Sequence, residues 1–319
     1  MKQSEFKKFA EKHQIGYKEE RFGSTCDKFY KHKENGKLIL DKSRPIRYYL
    51  TDTNGKEGEN YYKDKDFDIL QAVYNRFPDG FYYKRDSNML RSEHIPFNLF
   101  VPLIKNKDFC KQIFNEILNN VILSIDSIKI EYAPSPKENY LNDGTSFDTY
   151  IEYTHIDNSM GIICIEVKYT EREYPLVKFE KDKKTGERKL TKAWQDIEDY
   201  KNKKGIYYDV TKKRKLYKDD YLISLVEDKF RQIWRNHLLA ESILLNDNVK
   251  HAYSLIFYPK DNSHFEEVGK EYVNMLVDDK KSTFGLVTYE SFIDICRKFQ
   301  PNKDYEDWIN YLQNRYIIK

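Results

Sequence analysis

The 319-residue sequence has few cysteines, glycines and prolines, and it has no long apolar segment. Its four cysteines, Cys26, Cys110, Cys164 and Cys296, lie far apart and form no Cys-x-x-Cys pair. This pattern argues against a disulfide framework or a zinc ribbon and predicts reduced thiols. No window approaches the ~18 apolar residues that a membrane helix needs, and the N-terminus has no apolar signal segment. We therefore expect a cytoplasmic protein that has no membrane partner.

The chain also lacks a strong net charge, although charged residues make up 34% of it. Its 55 Lys and Arg residues stand against 52 Asp and Glu residues, which gives a net charge of +3. This balance excludes a uniformly basic tail and an acidic disordered chain. Contact with a polyanion therefore requires a local basic patch. The length suffices for roughly one or two domains of about 150 residues each.

Hydrophobic periodicity divides the chain near residue 88. Residues 1–87 are polar, rich in Tyr and Lys, and weakly periodic, so we predict an N-terminal extension or a small subdomain there. Residues 88–319 are predicted to form the main domain with C-terminal helices. Their pattern indicates strands over 127–132, 147–153, 161–168, 249–258 and near 283–287. It indicates helices over 89–104, 107–118, 220–245, 265–275, 289–299 and 305–316.

The order of these elements predicts the fold class. Three strands in a meander are followed by a long helix and another strand, which implies a parallel pairing through a right-handed crossover. The sequence therefore predicts an α/β protein with a mixed sheet. Pro96 lies inside the first predicted helix and requires a kink or a late start there.

Charged residues converge on one end of the predicted hairpin formed by strands 147–153 and 161–168. If the turn centres near Asn158, opposed residue numbers sum to about 316, and Asp148 faces Lys168. Glu166 shares that face because strand side chains alternate. Two carboxylates beside a lysine suit Mg²⁺, which can activate a water on a phosphodiester while the lysine stabilises developing charge. The tripeptide Glu-Val-Lys at 166–168 could equally form a solvated ion pair, so the motif alone leaves a structural role open.

The hairpin and its surroundings resemble a known family. Phe147-Asp148 and the run Ile-Glu-Val-Lys-Tyr-Thr-Glu at 165–171 resemble the PD-(D/E)XK nuclease superfamily. Residues 90–94, 97–100 and 231–237 are similar to a restriction-endonuclease-like branch of it. The resemblance covers roughly residues 88–258, with 308–316 as a further segment of similarity, and residues 1–87 lie outside it. It implies a restriction-endonuclease-like αβββαβ core with a mixed central sheet flanked by helices, and metal-dependent cleavage of phosphodiester bonds.

By this resemblance, Asp148 and Glu166 match the metal-binding acids and Lys168 matches the motif lysine. Val167, between the two motif residues, is included among the predicted metal ligands. Phe147 stands where the superfamily carries a proline before the aspartate. The implied cofactor is Mg²⁺, with Mn²⁺ as an alternative.

Two further residues receive roles from the resemblance. Glu93 matches an auxiliary catalytic acid from the first helix, and Gln232 matches a glutamine that some members place on the following helix. Arg235 and Asn236 lie on the same side of that helix as Gln232 because they follow it by three and four residues. For Glu93 and Gln232 an exposed helix position is the open alternative.

A basic segment precedes the predicted long helix. Between residues 201 and 218 it has eight basic residues against one acid, with Tyr207, Tyr208 and Tyr217 interleaved. This composition suits phosphate contact combined with stacking, although a solvated loop can have it too. We predict that nucleic acid is bound by Lys201, Lys203, Lys204, Lys212, Lys213, Arg214, Lys215 and Arg235.

The sequence thus predicts a Mg²⁺-dependent deoxyribonuclease with a restriction-like or antiviral defence role, for which RNA stays open as a substrate. It would act as a homodimer or with a separate defence-system partner. One alternative is a non-catalytic nucleic-acid-binding module that retains the nuclease fold. Another is a structural α/β protein in which the three charged residues form an ion-pair cluster. The seven histidines show no His-x-x-x-His or His-Asn-His grouping, so we expect no histidine metal site.

Overall fold

The computed structural model describes residues 3–172, 176–182 and 184–318. The N-terminal elements are α1 (Gln3–Phe22), β1 (Phe29–Glu34), β2 (Lys37–Pro45), α2 (Asp52–Lys56), α3 (Ile69–Arg76) and α4 (Tyr83–Asp86). They are followed by α5 (Ile95–Ile104), α6 (Lys107–Ile117), β3 (Ile122–Tyr132), β4 (Phe147–His155) and β5 (Met160–Val167). A connection then contains β6 (Phe179–Lys181), β7 (Arg188–Leu190), α7 (Lys192–Lys201) and α8 (Gly205–Arg214). The C-terminal elements are α9 (Asp228–Asn246), β8 (His251–Tyr258), α10 (Ser263–Met275), β9 (Phe284–Thr288), α11 (Tyr289–Phe299) and α12 (Lys303–Tyr316).

A five-stranded mixed sheet in the order β3-β4-β5-β8-β9 forms the centre of the protein. β3, β4 and β5 are an antiparallel meander, and β8 and β9 continue the sheet in parallel with β5. The crossover from β5 to the parallel strand β8 contains α7, α8 and α9, since a parallel pairing needs a long connection. The predicted α/β class, with its αβββαβ core and flanking helices, is confirmed.

The hairpin of β4 and β5 has a different register from the predicted one. Thr149 lies opposite Ile165, so opposed numbers sum to 314. The turn centres on Asp157, whose carboxylate accepts hydrogen bonds from the backbone N–H (2.8 Å) and the hydroxyl (2.6 Å) of Ser159. Continuing the register places Asp148 opposite Glu166, so the predicted pairing of Asp148 with Lys168 was wrong. The two-residue difference preserves the face on which each side chain lies.

Both faces of β5 are buried, which fits its apolar sequence and its central position. Ile163, Ile165 and Val167 pack in a core that α5, α6, α11 and α12 cover. Ile162 and Cys164 pack in a second core beneath α7, α8, α9 and α10. Because side chains alternate along the strand, Glu166 lies on the face that α9 covers.

Two predicted helices begin later than their patterns suggested. α5 begins at Ile95 and has Pro96 in its first turn, where a missing backbone N–H costs nothing. The predicted helix over 220–245 begins at Asp228 because Glu227 has an extended backbone, with φ −62° and ψ 146°. The short 3₁₀ helices Asp219–Tyr221 and Ser224–Val226 precede it.

Residues 1–87 contribute side chains to the core shared by α5 and α12. Phe6 and Phe67 belong to the same buried cluster as Phe97 and Trp308. The division of the chain at residue 87 stays a prediction. Among the helices that the structure describes, none has the length and apolar character needed to span a bilayer. All four cysteines are free.

Candidate active site

The structure brings the predicted acids and lysine together at the carboxyl end of β5. The carboxylate of Asp148 accepts a hydrogen bond from the backbone N–H of Val167 at 2.6 Å. The ammonium of Lys168 lies 2.5 Å from Oε1 of Glu166. Glu166 and Lys168 are 5% and 6% exposed. The three side chains therefore meet at the carboxyl end of this central strand, and two of them form a buried ion pair.

The backbone around Lys168 is fixed by the neighbouring elements. Its N–H donates to the carbonyl of Phe257 on β8 at 2.8 Å, and its carbonyl accepts from the Tyr289 hydroxyl at 2.7 Å. Val167 packs its side chain in the core. Only the backbone oxygen of Val167 could therefore act as a metal ligand, and that role stays a prediction.

Two amides from α9 hold the Glu166 carboxylate. Gln232 donates to Oε1 and Asn236 donates to Oε2. Residues four apart lie on one face of a helix, so both reach the same carboxylate. The structure thus brings the predicted Gln232 into the site, where it adjoins the acid rather than solvent. The sequence placed Asn236 on this side without assigning it a role.

Glu131 is an acid of this site that the sequence did not single out. On β3, Ile130 lies opposite Thr149 and Tyr132 lies opposite Phe147, which places Glu131 opposite Asp148. Glu131 has a left-handed backbone with φ +55°, which is unusual for a residue other than glycine. Burial, and then the charge of Glu166, raise its pKa to about 7. The strand predicted over 127–132 contains Glu131, but its place beside Asp148 depends on the register between β3 and β4.

Glu93 lies in the turn before α5 and not in the helix from which it was predicted to act. Its carboxylate accepts a hydrogen bond from Arg91 at 2.8 Å, and its side chain is 36% exposed. Its charge contributes to the raised pKa of Glu131, so it lies near the acids. In the described part of the chain, no hydrogen bond joins it to Asp148 or Glu166. Its auxiliary role stays a prediction.

The electrostatics of the site favour an added cation. Burial, followed by the charges of Glu166 and Glu131, raises the pKa of Asp148 well above its usual range. Burial opposes the charge of Lys168, but Glu166 and Asp148 raise its pKa above the ordinary value. The carboxylates of Asp148, Glu166 and Glu131 thus lie near a single ammonium group, that of Lys168. Oxygen donors with excess negative charge are what Mg²⁺ or Mn²⁺ prefers, so the residues fit such an ion, with Asp148 and Glu166 to hold it.

The predicted nucleic-acid-binding residues have mixed surroundings. Six lysines are exposed: Lys201, Lys203, Lys204, Lys212, Lys213 and Lys215. Arg214 instead pairs with the buried Glu241, and Arg235 donates to Asp143 and Thr145, each at 2.7 Å. The contact of all eight with nucleic acid stays a prediction.

The stacking role expected for the interleaved tyrosines is wrong for two of them. Tyr207 and Tyr217 are 4% and 5% exposed and belong to the core beneath α9. Their rings pack there because α7, α8 and α9 bury the apolar side of the basic segment. Tyr208 is partly buried against the same core.

A second group of metal-ligand side chains lies elsewhere on the sheet. In residues 3–172, 176–182 and 184–318, only His155, Asp157 and His251 have three ligand atoms within 4.8 Å of one another. Our expectation of no histidine grouping missed this set because its members come from the end of β4, the turn that follows it and the start of β8. His251 pairs with Gly161, five residues before Glu166 on β5, so roughly 16 Å separates the group from the acids. The group therefore does not belong to the site of Asp148.

Comparison with known proteins agrees with the geometry. A family model described as the PD-(D/E)XK nuclease superfamily matches residues 2–318. No curated protein and no solved structure matches the chain. The family match extends well beyond the segments that carried the resemblance, and it includes the N-terminal region. The chain therefore belongs to the PD-(D/E)XK nuclease superfamily.

Proposed function

We propose that this protein is a Mg²⁺-dependent nuclease that hydrolyses phosphodiester bonds in DNA. The observation that carries the proposal is the meeting of Asp148, Glu166 and Lys168 at the carboxyl end of β5. Membership of the nuclease superfamily supports a nucleic-acid substrate. The surplus of carboxylates over ammonium groups supports a divalent cation.

Each side chain has a distinct task in this proposal. Asp148 and Glu166 would hold the cation, which supplies an activated water and neutralises charge on the phosphodiester. Lys168 orients the attacking water and stabilises negative charge that develops on the phosphate. Gln232 and Asn236 keep the Glu166 carboxylate in one orientation, and the Val167 N–H does so for Asp148.

The choice of DNA as substrate, and a restriction-like or defence role, rest on the sequence resemblance. The exposed lysines of the segment 201–215 support contact with a phosphate backbone. We include a homodimer or a separate partner protein in the proposal. Light scattering on the purified chain distinguishes a dimer from a monomer.

A cleavage assay tests the activity. Purified protein is incubated with supercoiled plasmid, linear duplex, single-stranded DNA and RNA, in Mg²⁺, Mn²⁺ or EDTA. We expect DNA to be cleaved in Mg²⁺ and left intact in EDTA. Asp148→Asn and Lys168→Met should each lower the rate by about a hundredfold or more, because Asp148 would hold the cation and Lys168 would stabilise charge on the reacting phosphate.

The matched control is Lys270→Ala on α10, whose side chain is 69% exposed and pairs with Glu266 on the surface. It should cleave at the wild-type rate. Circular dichroism should show that all three variants are folded. Full activity of both site variants would reject the assignment. Binding without cleavage in either metal would instead support the non-catalytic module.

A further inference from the structure

A cleft of about 290 Å³ opens beside the candidate active site. One wall is the loop 144–146, which leads directly into β4 and Asp148, and the other is a face of α9. That face includes Gln232 and Asn236, whose amides donate to Glu166, so the cleft adjoins the acids. Ligand pockets commonly have volumes of about 300–1,000 Å³, so this cleft has room for one nucleotide unit rather than for a duplex.

Arg231 lines this cleft, and two of its guanidinium nitrogens have no hydrogen-bond partner in the described part of the chain. The side chain is 4% exposed, and its Nη2 donates to Asp228 and to the carbonyl of Val226. Within the described ranges, Nε and Nη1 have no hydrogen-bond partner. Buried donors of a charged group are rarely left unpaired, so these two nitrogens have capacity for an added acceptor.

The neighbouring arginine of the same face differs in this respect. Arg235 donates to Asp143 and Thr145, each at 2.7 Å, and to the Tyr207 hydroxyl at 3.0 Å. Its charge is compensated by the nine-tenths-buried Asp143, whereas the acid that pairs with Arg231, Asp228, is 53% exposed. Of the two arginines, Arg231 therefore has the charge that the protein compensates less, and it is better able to bind an added anion.

We propose that Arg231 binds a phosphate group of the substrate strand, in the cleft next to the phosphate that is cleaved. The identity of the strand rests on the proposed function. A phosphate supplies the missing acceptors, because guanidinium N–H groups form charge-assisted hydrogen bonds to its oxygens. Its negative charge also complements a buried cation. The phosphate is either an internal diester or the terminal phosphate of a strand end.

The test measures binding in EDTA, so that it does not depend on cleavage. Affinities are measured for oligonucleotides in which one phosphate at a time is a neutral methylphosphonate, and for oligonucleotides with and without a 5′-phosphate. For the wild type, the methylphosphonate at one position should weaken binding by about tenfold. That is about the effect of losing one charge-assisted hydrogen bond. In Arg231→Met, overall affinity should fall similarly, and the penalty at that position should disappear.

A second variant and a second readout keep the test decisive. Arg231→Lys retains a charge and should bind more tightly than Arg231→Met. The slope of log affinity against log salt should decrease in magnitude by about 0.7–0.9 for Arg231→Met. Arg297→Lys on α11, whose guanidinium donates to Asn310 and Gln313, is the control and should bind like the wild type.

The outcomes separate this inference from the proposed function. Coupling of Arg231 to an internal position or to the 5′-phosphate supports the inference and identifies the source of the phosphate. The inference would be overturned if a methylphosphonate caused the same loss of affinity at every position, both in the wild type and in folded Arg231→Met. Nucleic-acid binding without cleavage in Mg²⁺ or Mn²⁺ would reject the nuclease proposal while leaving this binding test readable.

Discussion

A buried histidine on α9 should make the stability of the protein sensitive to acid. His237 is 1% exposed and lies between the Tyr272 hydroxyl and the Thr283 hydroxyl, each 3.1 Å from a ring nitrogen. Burial, assisted by the charge of Lys280, lowers its pKa from 6.5 to about 3. Because α9 also holds Gln232 against Glu166, loss of its packing would reach the candidate active site.

The direction of the effect follows from the lowered pKa. The folded state binds the proton more weakly than the unfolded state, so protonation favours unfolding. The contribution to stability is fully present above pH 6.5 and is lost progressively as the pH falls towards 3. At pH 4.5 the chain is two pH units below the unfolded value, which at 1.36 kcal/mol each costs about 3 kcal/mol of the free energy of unfolding.

Chemical denaturation at pH 7.5 and pH 4.5 in EDTA measures this loss. His237→Gln keeps hydrogen-bonding groups but does not titrate, and His32→Gln, at a side chain that is 48% exposed, is the control. Groups distant from position 237 titrate alike in all three proteins and cancel in the comparison. Glu241, which lies 4.0 Å from the His237 ring, is coupled to it, so its titration is part of the difference that His237→Gln measures. The wild type and His32→Gln should lose about 3 kcal/mol more than His237→Gln between the two pH values. Equal losses in all three proteins would refute the reasoning.

Two further substitutions test the packing and the polar contacts around the sheet. Asn236→Ala removes one of the donors to Glu166 and should lower single-turnover cleavage by about tenfold, the effect of one charge-assisted hydrogen bond; an unchanged rate would contradict the orienting role. Gly161→Ala would place a Cβ atom 2.2 Å from the ring of Tyr153 and should destabilise the protein by about 1–3 kcal/mol in thermal denaturation. Gly144→Ala, which meets no atom within 4 Å, is its control, and equal melting temperatures would contradict the clash.

The sequence predicted the central strands well because their signal is local. Strands expected over 147–153, 161–168 and 249–258 appear as Phe147–His155, Met160–Val167 and His251–Tyr258. Apolar runs bounded by turns and prolines are sufficient to locate such strands. The register depended on the turn, where the Asp157 carboxylate binds Ser159 and moves the centre by one residue. Since the error was two residues in the pairing, the face of each side chain was still correct.

Features that depend on distant contacts could not be predicted in this way. β3 begins at Ile122, five residues earlier than expected, because two irregularities in its pairing with β4 interrupt the alternation. Glu131 became part of the site only through that pairing. In the N-terminal region, Asn60 is fixed by a hydrogen bond from Arg315 at 2.7 Å, across 255 residues of sequence. Hydrophobic periodicity depends on residues that are close in sequence, so it cannot predict such contacts.

The two acids of the proposed metal site, Glu166 and Asp148, accept different numbers of hydrogen bonds from the protein. A carboxylate has about four lone-pair positions. Glu166 uses three of them for Lys168, Gln232 and Asn236, whereas in the described part of the chain one backbone N–H reaches Asp148. Glu166 is thus rigidly oriented with one position left, and Asp148 retains most of its capacity. Amides from α9 fit this division better than a further cation would, because neutral donors orient Glu166 without cancelling the negative charge that would attract a metal ion.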